Sequence, residues 1–101
     1  MFKRDGADIF VRVPVAFSVM TLGGNAEVPT LDGRVSLRIP VGTQSGKIFK
    51  LRGKGLPRLN GYGVGDELVE VFVHTPTRLS REAEELIKKL DKLIEHPKFN
   101  T

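Results

Sequence analysis

Leu31 to Gly55 reads LDGRVSLRIPVGTQSGKIFKLRGKG. Asp32-Gly33 is a two-residue hairpin signal, because Asp and Gly best tolerate the positive φ that tight turns need. Arg34-Val35-Ser36-Leu37-Arg38-Ile39 then alternates strictly. A period of two puts Val35, Leu37 and Ile39 on one face and the two arginines on the other, the pattern of a half-buried strand. Pro40 and Gly42 end it. Thr43 to Gly46 forms the connection to a second strand, Lys47 to Arg52, which stops at the glycines flanking Lys54. None of these residues is an evident catalyst, so the stretch specifies a scaffold.

The same logic extends in both directions. From Asp8 to Phe17, the odd positions Ile9, Val11, Val13, Val15 and Phe17 make a core face. Pro14 has no backbone donor and marks a sheet edge. Ser18 to Leu22 reads as one helical turn stopped by Gly23 and Gly24. Ala26 to Leu31 is a further strand, with Pro29 again pointing to an edge. Leu56 to Gly65, rich in glycine and carrying Pro57 and Asn60, reads as a mobile surface loop. Glu67 to His74 has apolar residues on both sides, as a central strand should.

After Pro76 the period changes. Ser80 is the N-cap of a helix expected to run to about Glu95, and Glu82, Glu84 and Glu85 complement its positive end. Glu84–Lys88 and Glu85–Lys89 have the favoured i,i+4 orientation. Ala83, Leu86, Ile87, Leu90, Leu93 and Ile94 form a continuous apolar stripe. That stripe either covers the β part or meets the stripe of a second copy. The helix comes last in the chain and can project, and three- and four-residue spacing suits helix pairing.

The bulk properties narrow the options. One domain is expected from 101 residues, burying roughly 65% of its unfolded surface. There is no cysteine, hence no disulfide framework or thiolate metal site, which suits a reducing, cytoplasmic setting. No apolar run approaches membrane-spanning length, and no membrane partner is expected. The net charge is +4. Its densest cluster is Lys47, Lys50, Arg52, Lys54 and Arg58. An RNA or ribosome-surface reading would set Lys47, Lys50, Arg52 and Lys54 on phosphates. Single-strand binders interleave aromatic platforms with charge, and only Phe49 and Tyr62 lie near. The solvated-face reading is preferred, with no nucleic-acid partner.

Three constellations imitate chemistry. Gly42-Thr43-Gln44-Ser45-Gly46-Lys47 falls short of a phosphate loop, with three residues between its glycines and a strand after it. Arg52-Gly53-Lys54-Gly55 could form an anion-binding nest, but glycines after a strand more often serve geometry. His74 and His96 lack the further ligands a metal needs. No catalytic residues, metal or cofactor are expected.

The segments VPVAFSVMTLGG (Val13 to Gly24), EVPTLDGRVSLRIPVGTQSGKIFKLRGKG (Glu27 to Gly55) and GDELVEVFVHTP (Gly65 to Pro76) resemble, in order and spacing, the C-terminal region of the DnaJ/Hsp40 co-chaperones. The match is to the second of that region's two β-domains. The chain has no His-Pro-Asp tripeptide of a J-domain and none of the family's zinc-binding cysteines. Stimulation of an Hsp70 partner is therefore expected only through a J-domain elsewhere in a longer protein. Met1 to Gly6 reads as the junction from a preceding β-domain, and the chain as an excised piece.

The resemblance implies an all-β fold, a small two-sheet β-sandwich of five to six strands with a C-terminal helix. Residues 1–76 would form the sandwich and residues 77–101 the dimerisation helix and tail. It implies a homodimer through Leu86, Ile87, Leu90, Leu93 and Ile94. It also implies secondary binding of unfolded polypeptide clients in a groove between the strands Val11–Phe17 and Ala26–Leu31, with Val13, Val15 and Val28 as liners. By their alternation, Val13 and Val15 serve equally as core.

Overall fold

The computed structural model describes residues 2–98. The strands are β1 (Lys3–Asp5), β2 (Asp8–Ala16), β3 (Gly24–Thr30), β4 (Gly33–Ile39), β5 (Ile48–Leu51) and β6 (Glu67–His74). The helices are α1 (Phe17–Leu22) and α2 (Arg81–Leu93). One sheet has the order β1-β2-β6-β5, and β3 and β4 form a second, antiparallel pair. The molecule is thus a small two-sheet β-sandwich with one C-terminal helix.

The core lies between the sheets. Val11, Val13 and Val15 of β2, with Val69 and Val71 of β6, meet Val28 of β3, Ile39 of β4 and Met20 of α1. Period-2 alternation selects these residues, and the burial of β2 follows it along the strand. Val35 and Leu37 pack against the cluster while Arg34, Ser36 and Arg38 face solvent. β6 is central, between β2 and β5. β2 and β6 run parallel over eight paired positions, from Ile9↔Glu67 to Ala16↔His74. A parallel pair needs a crossover, and here the crossover contains the whole second sheet.

Three local readings need correction. Lys3 to Asp5 is a strand, folded back on Asp8 to Phe10 through a two-residue turn with Gly6 at φ 62°. The β3–β4 hairpin turns one residue earlier than Asp32-Gly33. Thr30 pairs with Gly33, so Leu31 and Asp32 form the bend, and neither has positive φ. The Thr30 hydroxyl donates to Asp32 Oδ1 at 2.9 Å, and Gly33 opens β4 at φ 143°. Finally, α2 ends at Leu93 and is capped by the Ile94 amide donating to the Leu90 carbonyl at 3.1 Å. Ser80 is its N-cap, with Oγ accepting from the Ala83 amide at 3.0 Å. The i,i+4 pairs are replaced by an i,i+3 contact, Lys88 to Glu85 at 3.6 Å. Past the helix, His96 Nε2 lies 2.9 Å from the Asp91 carbonyl. That hydrogen bond and the Asp91 charge raise the His96 pKa.

The stretch 56–65 is held at its base. The Leu56 amide donates to the Ala7 carbonyl at 2.7 Å, the Gly55 amide to the Gly65 carbonyl at 2.9 Å, and the Gly65 amide to the Leu56 carbonyl at 2.8 Å. A Cβ on Gly55 or Gly65 would overlap the Ala7 carbonyl, which explains both glycines sterically. Beside this clamp sits Glu67. Its side chain points to the core face, is 0% exposed, and has neither oxygen hydrogen-bonded among the described residues. Burial pushes its carboxyl above the usual range, and the nearby Lys54 charge offsets this only in part.

Two predictions follow from this geometry. Gly65→Ala should lose about 2–3 kcal/mol by overpacking, whereas Gly61→Ala, in open space at φ 83°, should lose only about 1 kcal/mol. Urea denaturation compares them. Burial penalises the charged Glu67 carboxylate, and a raised folded pKa means stability is lost as pH rises above the ordinary value of 4.5. Glu67→Leu should therefore gain about 1–3 kcal/mol over the parent at neutral pH. The gain should shrink as pH falls toward that ordinary value.

Candidate functional site

Two surfaces remain after the core is accounted for. The first is the α2 stripe. No residue of α2 is buried. The radius of gyration is 17.4 Å with extents of 56 × 36 × 21 Å, against about 13 Å for a compact chain of this length. The helix stands away from the sandwich. One flank of its stripe, Ile87, Leu90 and Ile94, faces Phe17, Val73 and Pro76 across an apolar cleft of about 300 Å³. The other flank, Leu86 and Leu93, turns outward, with Leu93 82% exposed. The five residues singled out in the sequence thus form one stripe, and it stays open in the single protomer.

The second surface is the free edge of β2. The Ile9 amide donates to the Asp66 carbonyl, so the odd residues of β2 aim their backbone at β6. The even residues aim the other way, at β1 up to Phe10 and, beyond it, at no strand among the described residues. Pro14 is one of them, so the missing donor falls on the open side. Pro29 also lies in an edge strand, since among the described residues β3 pairs only with β4. Val13, Val15 and Val28 are 7%, 4% and 0% exposed and belong to the core cluster. They underlie the β2 edge rather than standing at the surface.

The constellations that imitate chemistry are spent on the fold. The Gly53 amide, part of the suspected nest, donates to Asp66 Oδ1 at 2.9 Å, and the Asp66 amide in turn donates to Asp8 Oδ1 at 2.8 Å. The chain supplies its own anion. In the Gly42 loop, the amides of Gly42, Thr43 and Gly46 donate to the carbonyls of Thr21, Met20 and Val71. Among the described residues, no three His, Cys, Asp or Glu side chains gather as a metal site, and no helix is long and apolar enough to cross a membrane. Glu67 was invisible as a special residue in the sequence. Its only signal is its odd position in β6, in register with Val69 and Val71.

The comparisons agree with this architecture. A family model described as the DnaJ C-terminal domain matches residues 1–76. "Chaperone protein DnaJ" of Geobacillus thermodenitrificans (strain NG80-2) is 51% identical over 92 residues, covering 91% of this chain and 24% of that protein. The protein of the same name from Geobacillus kaustophilus (strain HTA426) is 50% identical over the same shares. That from Parageobacillus thermoglucosidasius is 49% identical, again over 91% and 24%. The chain therefore spans about a quarter of the length of the curated relatives it matches. With a family model over residues 1–76 and relatives 49–51% identical over 91% of its length, the chain belongs to the DnaJ C-terminal domain family.

Proposed function

We propose that this chain is the dimerising, client-contacting module of a DnaJ-type chaperone, with residues 1–76 as the sandwich and 77–101 as the coupling helix and tail. The observation that carries the reading is α2, a helix with a continuous apolar stripe and no buried residue. A 13-residue helix is marginal alone in water. Covering Leu86, Ile87, Leu90, Leu93 and Ile94 with the same stripe of a second copy would supply roughly 6–10 kcal/mol gross per chain. Association entropy offsets much of it, which leaves a dimer of micromolar affinity or tighter. The cleft between α2 and the Phe17–Val73–Pro76 rim offers the partner helix a second wall.

Client polypeptide would bind as an added strand on the open side of β2, in the groove toward β3. Val13, Val15 and Val28 would form the floor. The carbonyls of Arg12, Pro14 and Ala16 face this side, together with the amides of Arg12 and Ala16. Specificity for sequence is low in such a mode, because the backbone carries most of the recognition. Two clients held by one dimer would raise avidity through effective concentration. Coupling to an Hsp70 would rest on a J-domain outside this chain, acting in the cytoplasm.

Sedimentation equilibrium should give twice the chain mass for the parent and the single mass for Leu90→Asp. The variant should keep its thermal transition in the sandwich, since α2 contributes nothing to the core. A monodisperse monomer at high micromolar concentration would overturn the dimer. Titration with an unfolded apolar peptide should shift the amides of Arg12, Val13, Val15 and Ala16 and those of β3. Shifts confined to α2 would reject the groove.

A further inference from the structure

The outer face of the four-stranded sheet is covered by nothing among the described residues. The side chains of this face, odd-numbered in β1 and even-numbered in β2, β5 and β6, stand in rows set by the strand register. The row Lys3–Phe10–Leu68–Lys50 crosses all four strands, with a cation at each end and two apolar side chains between. The next row is Arg12–Glu70–Ile48, and the next pairs Pro14 with Phe72. Phe10, Leu68 and Ile48 line a shallow cleft of about 610 Å³, rimmed by Lys3, Arg12 and Glu70. This face shares no floor with the client groove, whose floor residues Val13 and Val15 point to the opposite side of β2 and whose Val28 belongs to the second sheet.

The charges around the cleft differ in availability. Arg12 is engaged twice, with its guanidinium 4.4 Å above the Phe72 ring and its Nε 3.6 Å from Glu70 Oε2. Asp8 and Asp66, at the turn end of the sheet, spend their carboxylates on backbone amides. Asp5 lies beside Asp8 at the exposed turn end of the β1–β2 hairpin, two residues along the same face from Lys3. Lys3 and Lys50 make no ion pair among the described residues. The face therefore presents two available ammonium groups separated by an apolar floor.

We propose that this face docks an extended acidic segment of another protein, laid across the strands with the spacing acid-x-apolar-x-acid. Three strand gaps of ~4.8 Å separate Lys3 from Lys50 by roughly 14 Å. At ~3.4 Å per residue, an extended chain covers that distance in about four residues. Residues i, i+2 and i+4 of an extended segment share one face. The two carboxylates then reach Lys3 and Lys50, and the bulky residue between them lands between Phe10 and Leu68. Complementary charge fixes the register, and burial of the central side chain supplies the non-polar part. A nucleic acid fits less well. Phe10 is the one aromatic on the cleft floor, Leu68 and Ile48 offer no stacking surface, and Arg12 already covers the Phe72 ring.

The test is fluorescence anisotropy of the intact chain with a fluorescein-labelled peptide containing Glu-Ser-Leu-Ser-Glu. Binding should weaken on adding salt, and Lys3→Glu combined with Lys50→Glu should weaken it about tenfold or more, roughly 1.4 kcal/mol. Both lysines are exposed, so the double variant should keep the parent's thermal transition. The companion peptide with Lys in place of each Glu should not bind. Amide shifts should map to Phe10, Leu68 and Lys50 and leave Val28 unmoved. Failure of the parent to bind the peptide would overturn the proposal, as would affinity unchanged in the double variant, or shifts centred on β3. Tighter binding of a single-stranded oligouridylate to the same amides would also overturn it, and would assign the face to RNA.

Discussion

The fold depends on the parallel pairing of β2 with β6. These strands are the spine of the larger sheet, supply five of the buried core valines, and carry the two edges on which β1 and β5 are built. Everything between them, including the second sheet and α1, is an insertion that must close before the pair can form. The bond from the Asp66 amide to Asp8 Oδ1 joins residues 58 apart in sequence. Closing such a loop costs chain entropy before contacts repay it, so the near end of the pair is secured heavily. Ala7, Gly55, Leu56 and Gly65 interlock there, and Gly55 and Gly65 leave no room for a side chain. The buried Glu67 sits just inside that knot, where a hydrophobic residue would cost less.

That arrangement gives the molecule two unlike ends. The interlocked end is dense with backbone hydrogen bonds and glycines. At the other, the chain leaves β6 through Thr75 and Pro76 and runs out into a helix with no place in the core. On the proposed reading, coupling between copies would belong to α2, polypeptide capture to the backbone edge of β2, and the charged docking segment to the outer sheet face. β2 takes part in the last two, through its backbone edge and its outward side chains respectively, whereas α2 is separate from both.

The readable parts of the sequence were those governed by local physics. Alternation in Arg34–Ile39 and Ile9–Val15 reports burial directly, because side chains in a strand take opposite faces in turn. Ser80 and the acidic first turn mark the helix start by satisfying its unpaired amides. Pro14 announces an open edge through the donor it lacks. The parts that could not be read depend on distant residues. Nothing local says that Asp8–Ala16 and Glu67–His74 run parallel, and three residues, Lys3–Asp5, are too few for a period to show. The β3–β4 bend moved by one residue because Thr30 and Asp32 bond to each other, so Gly33 opens the strand instead of completing the turn. Glu67 reads as a polar strand start, and its burial emerges only once β2, β5 and the glycine knot close around it. At the candidate surfaces, the helix stripe was visible as a period, but the flank that faces the sandwich was not. The valines of β2 were visible as apolar, but their depth depends on the second sheet.

Pro14 carries a further consequence. A strand left open along half its length is a template on which identical strands can stack without limit, the seed of a fibril. An imino acid in the middle of that margin breaks the ladder that a fibril would need to propagate. On the proposed reading, short stretches of a client could still pair on either side of it. The residue that would weaken the hold on each guest also keeps copies of this strand from stacking on one another.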